Sequence, residues 1–597
     1  MFEIKVHPSE KSFKYEPEDT LLDILLAQKC FVDNSCNGKG VCGKCRVKIL
    51  NGKVPKPHPT EQKLISQADL KEGIRLSCLL KPESDLEIEL LQQERKHKVL
   101  TTGYMPKFKF DTNIKKQKIY INRPSLEDQT PFEEQVREQI GASLDFESIL
   151  EANFKPGEMT VVLNENDIIG IKSGDTTDSM YGVAVDIGTT TVVCALIDMI
   201  SGYELANASM INAQKHFGLD VLTRITYEIE HKEDGIKNLQ KAIVDSINTM
   251  IEDICEQAGV KKENIYEISV GANCTMMHML LGVDATYIGK SPYAPIFTSA
   301  KNIKASAIGL EAARGARLYC LPSVSSYIGA DIVAGTYVCN LHKQDKNVLF
   351  IDIGTNGEIV LSKGGELLCC SCAAGPALEG MNISSGMRAQ EGAIEDIKVT
   401  ENGIELKVIG DTDPIGICGS GILAAIRELL KIGLVRKDGA FIKKEKLDES
   451  DYRYNMLQLN GKKREFIISE VQKQLLITQG DVRQVQLAKG AILSGFIALL
   501  NKAGIDMENL DKVMIAGQFG AHLPIESLVG IGIIPEAVKD KLVYVGNSSK
   551  TGAYMALMSH QVKKDMEELA RHMDYMELGA TEGYERLFSS CLIFPKF

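Results

Sequence analysis

Four cysteines near the start of the chain, Cys36, Cys42, Cys45 and Cys78, are spaced C-x5-C-x2-C-x32-C. Three of them crowd into the loop Cys36-Asn-Gly-Lys-Gly-Val-Cys-Gly-Lys-Cys45, and the fourth arrives from a later segment. Four thiolates converging on two irons are what a [2Fe–2S] cluster requires. Gly38, Gly40 and Gly43 let the loop adopt positive φ and bring backbone N–H groups close to the sulfides. The competing chemistry is structural zinc. Zinc sites usually carry two CxxC knuckles, whereas only Cys42 and Cys45 form one here. The spacing therefore favours a cluster and one-electron chemistry.

A second set of residues suits phosphate and a hard cation. In Gly182-Val-Ala-Val-Asp-Ile-Gly-Thr-Thr-Thr-Val-Val-Cys-Ala-Leu-Ile-Asp198, Asp186 ends an apolar strand and Gly188-Thr189-Thr190-Thr191 makes the turn. The pattern returns 166 positions later in Asn347-Val-Leu-Phe-Ile-Asp-Ile-Gly-Thr-Asn-Gly-Glu-Ile-Val-Leu361. There Asp352 ends the strand, and Gly354, Thr355, Asn356, Gly357 and Glu358 form the turn. A third glycine turn, Ala516-Gly517-Gln518-Phe519-Gly520, follows another apolar strand. Glycine lets the backbone approach a polyphosphate, and threonine hydroxyls and turn amides donate to its oxygens. Asp186, Asp352 and Glu358 are the candidates to hold Mg²⁺, commonly through water, or to orient an attacking water.

One such turn is a weak signal, because Asp-Gly turns are common in hairpins. Two copies between apolar strands imply two related lobes. The arrangement resembles the actin, sugar kinase and Hsp70 superfamily, in which ATP lies between two lobes. No GxxxxGK[ST] P-loop and no strand-following GxGxxG compete with it. Further glycine turns are expected to complete the cleft: Gly375 within 373–380, Gly419 and Ser420 within 416–421, and Gly546-Asn-Ser-Ser549. The 416–421 turn runs into a helix over 422–430, where its amides could meet an anion or simply pack against a strand.

The elements that must position these residues divide the chain into four parts. Residues 1–92 begin with strand-like Phe2-Glu-Ile-Lys-Val6 and a helix pattern through Leu21, Leu22, Ile24, Leu25 and Leu26. They continue past the cysteine loop with Arg46-Val-Lys-Ile-Leu50, a turn at Asn51-Gly52 and Leu86-Glu-Ile-Glu-Leu90. This order resembles the β-grasp fold of [2Fe–2S] ferredoxins, and the x5 first gap is similar to the adrenodoxin-like group. Residues 93–115 are polar and basic and suit a linker that would let the first unit swing. Residues 116–178 suit a small α+β middle domain, with the strand Lys118-Ile-Tyr-Ile121 and an amphipathic helix near 132–140. Residues 179–597 carry the two-lobed, ribonuclease H-like ATPase pattern. The fold class expected is α/β multidomain.

Composition narrows the function. The chain has 597 residues, 68 Lys and Arg against 80 Asp and Glu, and a net charge of −12, which argues against general nucleic-acid binding. No apolar run approaches a membrane span, and the longest, such as 491–500, has the length of a core helix. The N-terminus reads as a strand and not a signal peptide, and fifteen cysteines without a signal suggest a reducing cytoplasm. Lys39, Lys44, Arg46 and Lys48 around the cysteine loop read as a solvated face, with a docking patch for an acidic partner as the sharper alternative.

Several tempting residues are assigned to packing. Cys30 reads as a buried thiol at a helix end. Cys369, Cys370 and Cys372 lie on a strand whose neighbours point to opposite faces, so they cannot all ligate one metal. Met276, Met277, His278 and Met279 read as a helix start with packing methionines, a corrinoid-facing His278 being the alternative. Arg388 and Glu391 are either catalytic or an exposed pair.

Taken together, the chain resembles the reductive activators of corrinoid-dependent methyltransferase systems over essentially its whole length. The motifs that carry the resemblance are the cysteine spacing, Asp186-Ile-Gly-Thr-Thr-Thr191, Asn212 with 218–225, Gly271-Ala-Asn-Cys-Thr275 with His278, Asp352-Ile-Gly-Thr-Asn-Gly-Glu358, Ala374-Gly-Pro-Ala-Leu-Glu-Gly380, 516–520 and Ile593-Phe-Pro595. Gln518 and Cys274 depart from it. The resemblance implies a [2Fe–2S] cluster, ATP and Mg²⁺ as cofactors. It implies ATP-dependent transfer of one electron to a cob(II) corrinoid protein, restoring cob(I). The partners it implies are that corrinoid protein and a low-potential electron donor, without nucleic acid or membrane, and it is compatible with a homodimer. Two alternatives stand beside it: a ferredoxin-fused, kinase-like phosphotransferase, and a redox-sensing scaffold that binds nucleotide without hydrolysing it.

Overall fold

The computed structural model describes all residues except 1, 8–10, 16–18, 29, 31, 33–39, 41, 42, 44, 92–103, 143, 145–148, 150–153, 462, 472, 518–522 and 597. It divides into two compact units, one of residues 1–96 with 213–235 and one of residues 97–212 with 236–597.

In the first unit, Ile4 and Val6 alternate with outward-facing Glu3 and Lys5, which gives the strand Phe2–His7 one apolar face. That strand pairs antiparallel with Lys11–Tyr15 and parallel with Leu86–Leu90. Arg46–Asn51 and Ile74–Leu76 complete a five-stranded mixed sheet. The helix Leu21–Ala27 buries Leu21, Leu22, Ile24 and Leu25 in the same core as Ile4, Val6, Val47, Leu76 and Ile88. This is the β-grasp arrangement expected of residues 1–92. Cys30 is buried in that core. The unit is discontinuous in sequence: its second stretch carries the helix Val221–Glu230, started by a capping box between Asp220 and Thr223.

In the second unit, two six-stranded sheets repeat one plan. In the first, Tyr181–Ile187 is flanked by its antiparallel hairpin partner Thr191–Asp198 and by the parallel strand Ile265–Ala272. In the second, Asn347–Ile353 is flanked by antiparallel Gly357–Lys363 and by parallel Lys512–Ala516. Each hairpin continues into a third antiparallel strand, Glu204–Ile211 in one sheet and Glu366–Cys372 in the other. Both central strands are apolar on two faces, as strands covered on both sides must be. Their last polar residues, Asp186 and Asp352, fall at the carboxyl ends, where sheets of this kind bind ligands.

Residues Ile114–Ile121, Gly157–Asn164 and Asp167–Ser173 form a three-stranded antiparallel sheet. The helix Phe132–Ile140 shares a small core with it through Ile119, Val136, Met159 and Val161. The stretch 93–115 departs from a free linker once Tyr104 is reached. Tyr104 donates its amide to Val545 O at 2.8 Å and Asp111 to Met558 O at 3.1 Å. Phe108 meets Tyr554 edge-on at 5.9 Å. Three aromatic residues, Tyr104, Phe108 and Phe110, stand in this otherwise polar stretch.

The thiols of Glu366–Cys372 behave as packing groups. Cys369, Cys370 and Cys372 are all buried, and Cys370 and Cys372 lie against the helix Gln479–Ala503 at Gly495. His278, inside the buried helix Cys274–Leu281, has both ring nitrogens engaged: Nδ1 with Cys274 O at 2.8 Å and Nε2 with the Ile296 amide at 3.1 Å. Its ring stacks on Phe297 at 4.2 Å, so it acts as a structural pin.

Candidate functional site

The two repeated hairpin turns face each other across a cleft with a cavity volume of about 120 Å³. Asp186, Gly188, Thr189, Thr190 and Thr191 line one side, and Asp352, Gly354, Thr355, Asn356 and Glu358 line the other. Each turn is closed by its own backbone, Gly188 N to Thr191 O and Gly354 N to Asn356 O, both at 2.9 Å. Gly517 also lines the cleft, at φ +93°, and a Cβ there would sit 2.6 Å from Asp352 Oδ1. Only glycine lets the third strand end this close to the carboxylate.

Several side chains hold the turns in place. Asn212, fully buried, donates from Nδ2 to Gly188 O and from its amide to Thr190 O, each at 2.9 Å. Asn273, the N-cap of Cys274–Leu281, donates to Thr189 Oγ1 at 3.1 Å. Asn547 caps the helix Ser548–Met558 and donates to Asp186 Oδ2 at 2.8 Å. That helix points its N-terminus into the cleft, with Ser548 and Ser549 on the wall. Ser548 Oγ is buried with no hydrogen-bond partner among the described residues.

Five carboxylates, those of Asp186, Asp331, Asp352, Glu358 and Glu379, line this space. Burial pushes Asp352 up to about 8, helped by the charges of Asp331 and Asp186. Burial and the Asp186 charge push Asp331 up to about 7. Glu358 is raised well above its ordinary value by burial and then by Asp331 and Asp352. Burial also raises Asp186, against the hydrogen bonds of Ser549 and Asn547 and the Lys550 charge. Carboxylates that raise one another's pKa when alone form a donor set for a hard divalent cation, whose charge reverses the shift. No three His, Cys, Asp or Glu side chains among the described residues come close enough to hold a metal ion directly. The lining carboxylates beside two phosphate-type turns fit a cation held through its water shell and through phosphate, the usual habit of Mg²⁺.

Other residues expected at the cleft lie elsewhere. Gly357 does not line it; a Cβ there would meet Ile492 Cγ1 at 2.9 Å, so its smallness serves packing. Gly419 and Ser420 begin the helix Gly419–Lys431 away from the cleft, and a Cβ on Gly419 would sit 1.8 Å from Leu378 O. Gly375 also stands back, at φ +75°, before the turn Pro376–Glu379. Asp331 carried no signal in the sequence, because it opens the helix Ala330–Val338 outside any glycine turn. Glu379 carries no mark of its own in the sequence, because it lies inside the glycine-rich motif 374–380. Cys274, pushed up to about 12 by burial, packs at the start of its helix.

In the first unit, Cys45 precedes the strand Arg46–Asn51 and Cys78 sits in the turn Ser77–Leu79. Their sulfurs lie 3.2 Å apart and both are buried. The Cys78 thiol beside it draws Cys45 down to about 6 against burial. Two converging thiols in an apolar pocket, one acidified, fit the ligand role of a [2Fe–2S] cluster. Cys36 and Cys42 lie outside the described residues, as do Gln518 and Phe519.

Comparison with known proteins matches the same regions. Residues 4–83 match the 2Fe-2S iron-sulfur cluster binding domain. Residues 181–344 match the RACo middle region, and 346–597 match the C-terminal domain of RACo, the ASKHA domain. The corrinoid activation enzyme RamQ of Eubacterium limosum is 30% identical over 589 residues, 95% of each chain. The [Co(II) methylated amine-specific corrinoid protein] reductase of Methanosarcina barkeri is 26% identical over 68% of this chain and 76% of its own. A solved structure of a reductive activator for corrinoid, iron-sulfur protein is 31% identical, with a TM-score of 0.71 over 100% of this chain and 99% of that one. With similarity of this degree running from the cluster-binding domain to the end of the acidic cleft, the chain belongs to the RACo family of corrinoid reductive activators.

Proposed function

We propose that this protein reactivates a corrinoid protein of a methyltransferase system, delivering one electron to cob(II) so that cob(I) is restored, with ATP binding and hydrolysis driving the transfer. The observation that carries the reading is the pairing of a cluster-binding domain with a cleft in which five carboxylates and two phosphate-type turns meet. Cys36, Cys42, Cys45 and Cys78 would hold the [2Fe–2S] cluster, which would supply the single electron. Mg²⁺ bound with the nucleotide would neutralise the polyphosphate charge.

The chain's own groups do the rest. The amides of the two turns cradle the phosphates, while Asp186, Asp352 and Glu358 hold the cation's water shell and orient the attacking water. Asn547 fixes the rotamer of Asp186 through its 2.8 Å bond. For a one-electron couple about 59 mV corresponds to roughly 1.4 kcal/mol. About 4 kcal/mol of differential nucleotide binding therefore offsets on the order of 170 mV.

Anaerobic, pre-reduced protein mixed with a cob(II) corrinoid protein from the same cell tests the reading. Cob(I), or methylated product, appearing in the spectrum only with Mg-ATP supports it. Reduction that proceeds equally without nucleotide overturns the ATP-driven step, and ATP consumption without any spectral change overturns the corrinoid assignment.

A further inference from the structure

Glu379 touches both phosphate-type turns at once. Its Oε2 accepts from Thr190 Oγ1 at 2.7 Å and its Oε1 accepts from Thr355 Oγ1. Thr190 belongs to the turn after Asp186 and Thr355 to the turn after Asp352, so one carboxylate bridges the two halves of the cleft. Glu379 is buried, at 2% exposure, and its backbone is firmly seated. Gly375 at φ +75° and Gly380 at φ +78° bound its turn. A Cβ at Gly380 would sit 2.2 Å from Met387 O, and Gly419 packs under Leu378. The glycines that stand back from the cleft thus serve the carboxylate that lines it.

A threonine hydroxyl has one proton to donate and two lone pairs to offer. With that proton engaged by Glu379, neither Thr190 nor Thr355 can donate to a phosphate oxygen. Both can accept, and what donates in a nucleotide site is water, above all the polarised water on a divalent cation. We propose that Glu379 is a positioning residue that turns both threonines into acceptors, so that the cleft recognises the hydrated metal–nucleotide complex in preference to the bare nucleotide. This rests on the nucleotide reading of the cleft and adds a metal-selection rule to it.

Glu379→Gln keeps the shape and supplies one amide donor. One threonine must then turn its own proton toward the ligand, where it can meet phosphate directly. The test is equilibrium binding of ATP with Mg²⁺ and with EDTA, by calorimetry or a fluorescent analogue, on the full chain. The wild type should prefer Mg-ATP, and E379Q should shrink that preference about tenfold, by weakening Mg-ATP and sparing or tightening bare ATP. Thr190→Val and Thr355→Val remove the acceptors individually. Each should shrink the preference likewise, and the valine at the threonine that faces the new amide should lose most of its effect when added to E379Q while the other keeps its own, with the valine variants serving if E379Q does not fold. Equal weakening of both ligands would mark Glu379 as a purely structural strut and overturn the proposal, as would unchanged affinities or valine effects that are both fully additive with E379Q. A wild type that binds nucleotide in neither condition would instead remove the nucleotide reading, and this inference with it.

Discussion

The side-chain amide of Asn547 donates to Asp186 Oδ2 across 2.8 Å, joining residues 361 positions apart in the chain. It also caps the helix whose N-terminus faces the cleft, so one residue ties a carboxylate to a helix dipole. Asp186→Asn should lower ATP hydrolysis about 100-fold or more while leaving the visible cluster spectrum intact. Steady-state phosphate release and absorbance on the same preparation check this. Loss of both together would indicate misfolding.

The raised carboxylates give the cleft a pH signature. Asp331 and Asp352 have ordinary values of 3.8 and rise to about 7 and about 8. A carboxyl group raised on folding stabilises the protein below its unfolded pKa, and that contribution fades as pH climbs through the folded value. Cation-free protein should therefore lose thermal stability progressively between about pH 4 and about pH 8. Mg²⁺ with nucleotide should flatten that slope and release protons on binding, most clearly near neutral pH. Scanning calorimetry across pH, and titration in buffers of different ionisation enthalpy, measure the two effects; a slope indifferent to Mg²⁺ would contradict the shared site.

The cysteine pair makes a separable prediction. Cys45→Ser replaces one of two sulfurs 3.2 Å apart and should abolish the reddish absorbance and the low-temperature EPR signal of the reduced protein. ATP hydrolysis, which depends on residues of the other unit, should survive. Loss of hydrolysis with an intact circular dichroism spectrum would show that the cluster governs the cleft more directly.

Packing near the cleft floor can be probed at Gly495. A Cβ there would meet Cys372 Sγ at 2.2 Å and Cys370 Sγ at 3.4 Å, so the helix Gln479–Ala503 seats on its sheet only because this residue is glycine. Gly495→Ala should destabilise the protein by roughly 1–3 kcal/mol through overpacking. Adding Cys372→Ala should recover part of that loss in thermal denaturation, because it removes the atom in the way.

Much of this was legible in the sequence where function forces a local pattern. The cysteine spacing, the two apolar strands ending in Asp186 and Asp352, and the threonine and asparagine turns are contiguous motifs, and contiguity survives in a one-dimensional string. The cleft's other members are assembled by topology. Asp331 opens an ordinary helix, and Glu379 bonds to threonines 189 and 24 positions away, so neither carries a local mark. Gly357, Gly375 and Gly419 carried the mark of ligand-binding glycine but serve close backbone approach or a turn. The two demands select the same residue, and composition cannot separate them. The strap from Tyr104 to Asp111 leaves no pattern in the sequence, because backbone hydrogen bonds hold its two ends and the one ring packed on Tyr554, Phe108, has no periodic partner.

The first unit's second stretch, residues 213–235, has a practical consequence for anyone dissecting the protein. A module built from two pieces of chain cannot be freed by one cut. A single cut between the two stretches would leave residues 1–96 grouped with a segment that stays covalently joined at both its ends to the other unit. The nicked halves should co-elute in size exclusion and part only in denaturant. A ferredoxin fragment expressed as residues 1–96 would lack the helix Val221–Glu230 that its own compact unit includes.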